Sequence, residues 1–255
     1  MKSSKGVVFK RQQRILQLLQ ENQEMSVEDL SKELEVSEIT IRRDLQQFED
    51  QGVIERFYGG ARFLAGKIKQ ENVEQIQYNS MKKNIARRAA GLVRDHNMVF
   101  INSGSTAFLL LNFLADANVT ILTNNGRSIF KKPSTKASIV ISGGEIFEQK
   151  KSLVGDFAIN SFLKARADIC FLGVGGISKN GISTYALPET AVNRVILERT
   201  TGHRIIVTEG FKVGRDSNFH TADCNMITHL ITDHSADPET IAYLKSIGVK
   251  VLFIS

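Results

Sequence analysis

Residues 37–45 read Ser37-Glu38-Ile39-Thr40-Ile41-Arg42-Arg43-Asp44-Leu45, and Phe48 follows three positions on. Ile41, Leu45 and Phe48 stand at i, i+4 and i+7, which is one face of an α-helix. Ser37 is a suitable first residue, and Gly52 suits the left-handed turn that ends a helix. The opposite face offers Thr40, Arg43 and Gln47, with Arg42 alongside. Upstream, Ile15, Leu18 and Leu19 give one face to a helix between Lys10 and Asn22. Ser26 caps a second helix, whose Val27, Leu30 and Leu34 lie at i, i+3 and i+7. Only Glu35 to Ser37 separate the second helix from the third, the short connection of a helix-turn-helix.

Downstream, Val53 to Phe57 and Ala61 to Leu64 flank Tyr58-Gly59-Gly60 and predict a hairpin. Three helices and a hairpin make a winged helix over residues 1–65. In such a module the third helix enters the major groove, where Ser, Thr and Arg near its N-terminus reach base edges, while hairpin cations meet phosphate. The competing reading is a helical oligomerisation domain, against which the cationic face of the third helix argues.

The charge distribution adds orientation but little else. The 255 residues carry 33 Lys+Arg against 27 Asp+Glu, a formal +6, with 42% hydrophobic and 24% charged side chains. Residues 1–65 hold 10 basic and 11 acidic groups, so the basicity lies in the remainder, at 23 against 16. Within the first part, residues 1–20 contain five cations and no acid, whereas residues 21–38 contain seven acids and Lys32 alone. A basic face beside an acidic one orients a module on a polyanion. Two cysteines, Cys170 and Cys224, exclude a disulfide scaffold and a Cys-based zinc site and fit a cytoplasmic location. No stretch reaches the roughly 18 apolar residues of a membrane span, and residues 1–11 hold an apolar run too short for a signal peptide.

Residues 66–79 are polar and aperiodic and read as a linker, followed by a helix from about Tyr78 to Arg94. From there to residue 255, β-branched runs alternate with helical patterns. Strands are expected at Met98 to Ile101, Val119 to Leu122, Ser138 to Ile141, Asp168 to Leu172, His203 to Val207, Met226 to Ile231 and Val249 to Ile254. Helices are expected at 105–115, 153–165, 187–200 and 237–247. This alternation predicts an α/β domain over residues 80–255 with a mainly parallel sheet. Four strands run into small polar loops: Asn102-Ser103-Gly104-Ser105-Thr106, Thr123-Asn124-Asn125, Ser142-Gly143-Gly144-Glu145 and Gly173-Val174-Gly175-Gly176. Loops at the carboxyl ends of parallel strands converge on a binding crevice, and the first also opens a helix, where amides and hydroxyls hold anions. Neither a nucleotide-binding G-x-x-x-x-G-K-[ST] loop nor a complete G-x-G-x-x-G is present, and the five histidines show no metal-ligand spacing, so no cofactor and no metal are expected.

The run from Ser37 to Leu45, with Gly52 and Arg56-Phe57-Tyr58-Gly59-Gly60-Ala61, resembles the N-terminal signature of the DeoR family of bacterial sugar-responsive transcriptional regulators. The resemblance places Thr40, Arg42 and Arg43 on the recognition helix and Arg56 in the wing. An unpaired carboxylate facing phosphate would be repelled, so Asp44 is expected to orient a neighbouring arginine. It continues through the body, implying a C-terminal α/β domain similar to ribose-5-phosphate isomerase that binds a phosphorylated sugar or sugar derivative. Residue by residue, Gly104-Ser105-Thr106 looks like the family's phosphate loop, and Ser103 before it is a further candidate for effector binding. Thr123-Asn124 looks like its T-N, Gly143-Gly144 like its G-G, and Asp168 with Gly173 and Gly176 like its fourth loop segment, with Gly175 of the same loop a further candidate. Lys212-Val213-Gly214 matches the end of its D-x-S-K-x-G run, and Glu189 and Lys212 are candidates for effector hydroxyls and phosphate. Asn102 stands where many members have Asp, and Glu209 and Phe211 replace the Asp and second Ser of that run.

The resemblance implies a repressor, a homo-oligomer of two or four subunits, that binds double-stranded operator DNA and responds to an effector in the body. The alternative is a sugar-phosphate isomerase with an added head, using Asp168, Glu189 or Lys212 for proton transfer next to a carbonyl. Against the enzyme, a DNA-binding head has no part in isomerisation.

Overall fold

The computed structural model describes residues 5–50, 54–63, 70–131 and 136–254, which form two compact units divided between Asn79 and Ser80. The expected helix end at Gly52, the strand ends at Val53 and Leu64, and linker residues 66–69 lie outside the described residues.

The head runs α1 (Lys5–Asn22), β1 (Glu24–Ser26), α2 (Val27–Glu33), α3 (Glu38–Asp50), β2 (Ile54–Phe57) and β3 (Gly60–Phe63). Ser26 caps α2 as expected, its hydroxyl oxygen accepting from the Asp29 amide at 3.0 Å. Ile15, Leu16 and Leu19 of α1 meet Leu30 of α2, Ile41, Leu45 and Phe48 of α3, and Ile54, Ala61 and Phe63 of the hairpin in one apolar core. The periodic residues of all three helices therefore close on each other, which is the main source of stability in so small a unit. β1 was not foreseen: it joins the hairpin antiparallel, in the order β1-β3-β2.

The division falls within α4 (Gln70–Ala90), and the body contains α4 from Ser80 on, β4 (Met98–Ile101), α5 (Ser105–Phe108), β5 (Thr120–Thr123), β6 (Ser138–Ile141), β7 (Glu145–Phe147), β8 (Ser152–Val154) and α6 (Gly155–Leu163). It continues through β9 (Ala167–Leu172), β10 (Gly176–Ser178), β11 (Gly181–Thr184), α7 (Leu187–Glu198), β12 (Thr200–Val207), β13 (Phe219–Ala222), β14 (His229–Thr232), α8 (Pro238–Ser246) and β15 (Lys250–Phe253). The polar stretch read as a linker is helical from Gln70 onward.

All seven expected strands fall in one parallel sheet of order β15-β14-β12-β9-β4-β5-β6. Its side chains alternate strictly. Phe100, Leu122, Cys170, Leu172, Ile206 and Leu230 face a core with Phe162, Val192, Ile196 and Leu244 of the helices on that side. Val99, Ile101, Ile121, Ile169, Phe171, Ile205 and Val207 face Ile85, Ala86 and Ala89 of α4 and Ala107, Leu110 and Leu111 after β4. Burial on both faces explains why these strands read as continuous apolar runs.

The chain proceeds from β4 outward through β5 to β6, then returns to the other side of β4 to lay down β9, β12, β14 and β15. The order reverses between β4 and β9. The crevice outside the carboxyl ends of strands at such a reversal is where open α/β sheets bind ligands.

Candidate functional site

On the head, α3 turns Ile41, Leu45 and Phe48 inward and leaves Ile39, Arg42, Arg43 and Gln46 exposed. Ser37 precedes the helix, with its Oγ 2.9 Å from Thr40 Oγ1. Asp44 is buried and accepts hydrogen bonds from Arg11 Nε at 2.7 Å and Gln12 Nε2 at 2.9 Å. It does orient an arginine, but one from α1 rather than a neighbour on α3. Gln12 also donates to Gln47 Oε1 at 2.7 Å. α1 lies against this flank, so Thr40 is half-buried and Gln47 accepts from Gln12; Arg42, Arg43 and Gln47 of the face expected from the sequence are exposed, and Gln46 stands exposed beside them.

Arg42 donates to Glu38 Oε2 at 2.8 Å, a surface pair that a phosphate or base can displace at small cost. Arg43 is exposed and has no partner among the described residues. Arg56 lies on β2, donating to Gln46 Oε1 and standing 3.6 Å from Glu49 Oε2, so it braces the hairpin against α3. Tyr58 projects fully exposed from the hairpin tip, where Gly59 takes φ +87°.

In the body, the loops after β4 and β9 meet directly. A Cβ on Gly104 would stand 2.6 Å from Gly173 Cα, and one on Gly173 would stand 2.9 Å from Gly104 Cα. Gly104 has an ordinary φ of −56°, so the glycine is required by this backbone approach and not by a left-handed conformation. Asn102 ties the two loops together. Its Oδ1 accepts from the Gly104 amide at 3.0 Å and the Gly173 amide at 2.9 Å, while its Nδ2 donates to Gly173 O and Asn193 Oδ1, both at 2.9 Å.

Around this junction stand several polar and charged side chains. Ser103 donates from its hydroxyl to Glu189 Oε1 at 2.8 Å, and Thr184 donates to Glu189 Oε2 at 3.1 Å, so Glu189 is held at the first turn of α7. Thr106 donates to Glu209 Oε1 at 3.2 Å. Glu209, fully buried, lies 2.9 Å from Lys212 Nζ and 3.7 Å from Lys82 Nζ, and Lys82 donates to Ser105 Oγ at 3.0 Å.

Burial alone would push the Glu209 carboxyl up. The charge and hydrogen bond of Lys212, a backbone amide and the charge of Lys82 outweigh it and hold the group below its ordinary value. Burial lowers Lys82, against the pull of Glu209, and the charges of Lys212 and Arg127 lower it further. Lys82, Lys212 and Arg127 against Glu209 and Glu189 leave one net positive charge at the junction.

Asn125 donates to Ser103 O at 3.1 Å and its amide donates to Thr123 Oγ1, joining the β5 loop to the first. Asn124 donates to Leu153 O at 3.0 Å, leaving its buried Oδ1 without a hydrogen-bond partner among the described residues. Gly143 and Gly144 follow β6 at φ +69° and +115°, and Gly144 packs against Val154 and Ala158. Gly175 and Gly176 lead into β10, where Arg215, Ser217 and Tyr185 leave no room for a Cβ.

The structure therefore draws Ser103, Gly104, Ser105, Thr106, Gly173, Glu189 and Lys212 into one constellation and sets Thr123 and Asn124 beside it. It does not bring Asp168 there. Asp168 is the second residue of β9, its carboxylate accepting from the Met98 amide at 2.7 Å. It opens on a different cavity of about 450 Å³ at the amino ends of the strands, with Arg94, Asn97, Thr201 and His203. The five residues from Asp168 to Gly173 span roughly 16 Å of strand.

Sequence reasoning missed Lys82 and Asn193, and placed Asn125 in a converging loop without giving it a role. Lys82 had a readable signal: it stands at i with Ile85, Ala86 and Ala89 at i+3, i+4 and i+7, a lysine on the apolar stripe of its helix. Such a cation requires a buried partner.

Residues 11–66 match the family described as the DeoR-like helix-turn-helix domain, and residues 77–234 match the DeoR C terminal sensor domain. Relatives include the HTH-type transcriptional regulator GolR of Listeria innocua, 29% identical over 95% of this chain and 97% of that one. The glycerol-3-phosphate regulon repressor of Escherichia coli is 27% identical over 86% and 88%, and the lactose phosphotransferase system repressor of Staphylococcus aureus is 26% identical over 91% and 94%. Among solved structures, the chain is similar to ribose 5-phosphate isomerase A of Methanocaldococcus jannaschii, with 14% identity, a TM-score of 0.36 and coverage of 52% of this chain and 54% of that one. The two matched domains account for both units of the structure, and the chain belongs to the DeoR family of helix-turn-helix regulators with a C-terminal sensor domain.

Proposed function

We propose that this protein is a sugar-responsive transcriptional repressor. Its head binds double-stranded operator DNA through α3, with Ser37, Thr40, Arg42 and Arg43 toward the groove and Arg56 bracing the hairpin on the phosphate side. Its body binds a phosphorylated sugar or sugar derivative at the β4–β9 junction, where the amides and hydroxyls of Ser103, Gly104, Ser105 and Thr106 with Lys82 and Lys212 receive the phosphate. Glu189, Thr123 and Asn124 receive sugar hydroxyls, and Gly143, Gly144, Gly173, Gly175 and Gly176 shape the walls. The observation that carries this reading is the convergence of two nearly buried lysines on the point where the strand order reverses.

Operator half-sites related by two-fold symmetry call for a homo-oligomer, a dimer or tetramer. A cytoplasmic location accords with two buried, unpaired thiols, which burial pushes up to about 11. The protein acts without turnover. Of the three groups an isomerase would use, Asp168 lies at the opposite end of the strands, Glu189 is held by two hydroxyl donors, and Lys212 is paired with Glu209.

The test is operator binding by the full chain, followed by titration with a panel of phosphorylated sugars. One chemical class releases the DNA, and no sugar phosphate is consumed. Turnover of a sugar phosphate without sequence-specific DNA binding would replace the repressor with the isomerase.

A further inference from the structure

Ile39 is 79% exposed, the second residue of α3 and so in its first turn. Its aliphatic side chain contributes nothing to the head's core, which is complete with Ile41, Leu45 and Phe48 on the opposite face. It shares the outward stripe with Arg42, Arg43 and Gln46, at i+3, i+4 and i+7. Two of these are occupied: Arg42 pairs with Glu38, and Gln46 accepts from Arg56. Ile39 and Arg43, one turn apart, are the two members of the stripe with no polar partner within the head among the described residues. One is purely apolar and the other purely cationic.

The major groove contains one apolar group that distinguishes a base pair, the 5-methyl of thymine, and its commonest cation-reading partner is the O6/N7 edge of guanine. The N-terminal part of a recognition helix is the part that reaches base edges. Four residues of helix advance about 6 Å, close to two base-pair steps of about 3.4 Å.

We propose that Ile39 is a specificity-determining residue that reads the 5-methyl group of a thymine in the operator, within about two base pairs of a guanine read by Arg43. This rests on α3 being the element that reads the groove. Leaving an isoleucine in water gains the free head nothing, whereas seating it on a methyl removes both groups from water when DNA binds.

The full chain is used to enrich binding sites from a random duplex pool, and each thymine of the enriched site is then replaced singly by deoxyuridine, which deletes only the methyl. For wild type, one thymine in each half-site loses about fourfold in affinity, the worth of one buried methyl. Ile39→Ala binds the thymine site about tenfold more weakly, shows no loss on that uracil replacement and no longer enriches thymine at that position. Because the side chain is exposed, the melting temperature is unchanged, and Ile39→Val retains the uracil sensitivity.

An identical uracil profile in wild type and Ile39→Ala overturns the proposal. Arg43→Ala separates the two ways of failing. If Arg43→Ala retains specific binding, α3 is not the reader and both readings fall; if it loses specific binding while the uracil profiles remain identical, only the role of Ile39 falls.

Discussion

Replacing Asn102 with Ala should separate effector response from DNA binding. In the folded body this one side chain makes four hydrogen bonds, two accepted from the amides of Gly104 and Gly173 and two donated to Gly173 O and Asn193 Oδ1. Alanine leaves both amides without an acceptor, at roughly 1–3 kcal/mol for each group that stays buried. Gly104 and Gly173 are half-buried, so water reaches them in part and the low end applies. Adding the lost donors gives about 3 kcal/mol. In a domain of this size each kcal/mol shifts the melting temperature by roughly 2–4 °C, so Asn102→Ala should melt about 6–12 °C below wild type. Asn193→Ala removes one of the four bonds and should cost about 1 kcal/mol. The assay is thermal unfolding of the full chain with and without the releasing sugar phosphate, beside operator binding at a temperature where the variant is folded. The variant should hold DNA and fail to release it. Melting within about 2 °C of wild type, with normal release, would refute the claim that Asn102 fastens the two loops.

Arg43→Ala should lose about 1–3 kcal/mol of operator discrimination while retaining the sugar-phosphate response, measured by competition between specific and random duplexes. Asp44→Ala strands Arg11, whose side chain is only 12% exposed, and should destabilise the head by about 2–4 kcal/mol, seen as an earlier unfolding transition and weaker DNA binding of every sequence. Glu209 has a folded pKa below its ordinary 4.5, so it contributes stability that is complete above about pH 4.5 and is lost as pH falls through the lower folded value. Glu209→Gln should remove that acid-side loss and lower stability at pH 7, where Lys82 and Lys212 then face each other unscreened; chemical denaturation from pH 3 to 7 reads both. Lys82→Met, of similar length, should abolish binding of the releasing sugar phosphate by calorimetry with little loss of melting temperature.

The parts of this fold that were legible from the sequence are those where burial imposes a period. Inner strands such as β4 and β9 showed as apolar runs because both faces of the sheet are covered there, and α3 showed because Ile41, Leu45 and Phe48 recur on one face. Short elements left no such trace. β1 is three residues, Glu24–Ser26, with no buried alternation, and the β10-β11-β13 sheet is built around Gly176, Gly181 and Ser183.

At the site, the glycine loops announced themselves, but the reason for Gly104 is another loop 69 residues away in the chain. Lys82 was hidden because a single lysine in a polar helix reads as a solvated charge until its neighbours prove apolar. Asp168 misled for the opposite cause. Its place in the sequence close to Gly173 suggested a shared site, whereas a strand separates the two ends of the sheet.

In the proposed effector site, the contact between Gly104 and Gly173 separates a floor from a rim with different tolerance for change. Backbone touches backbone there, so no side chain on the floor can be exchanged to admit a different ligand without parting β4 from β9. The rim, made by Lys82, Asn124, Glu189 and Lys212 on four separate elements, is free of that restriction. A designer who wanted this sensor to answer to a new sugar would leave the floor intact and vary the rim one element at a time, keeping the anion and changing what it is attached to.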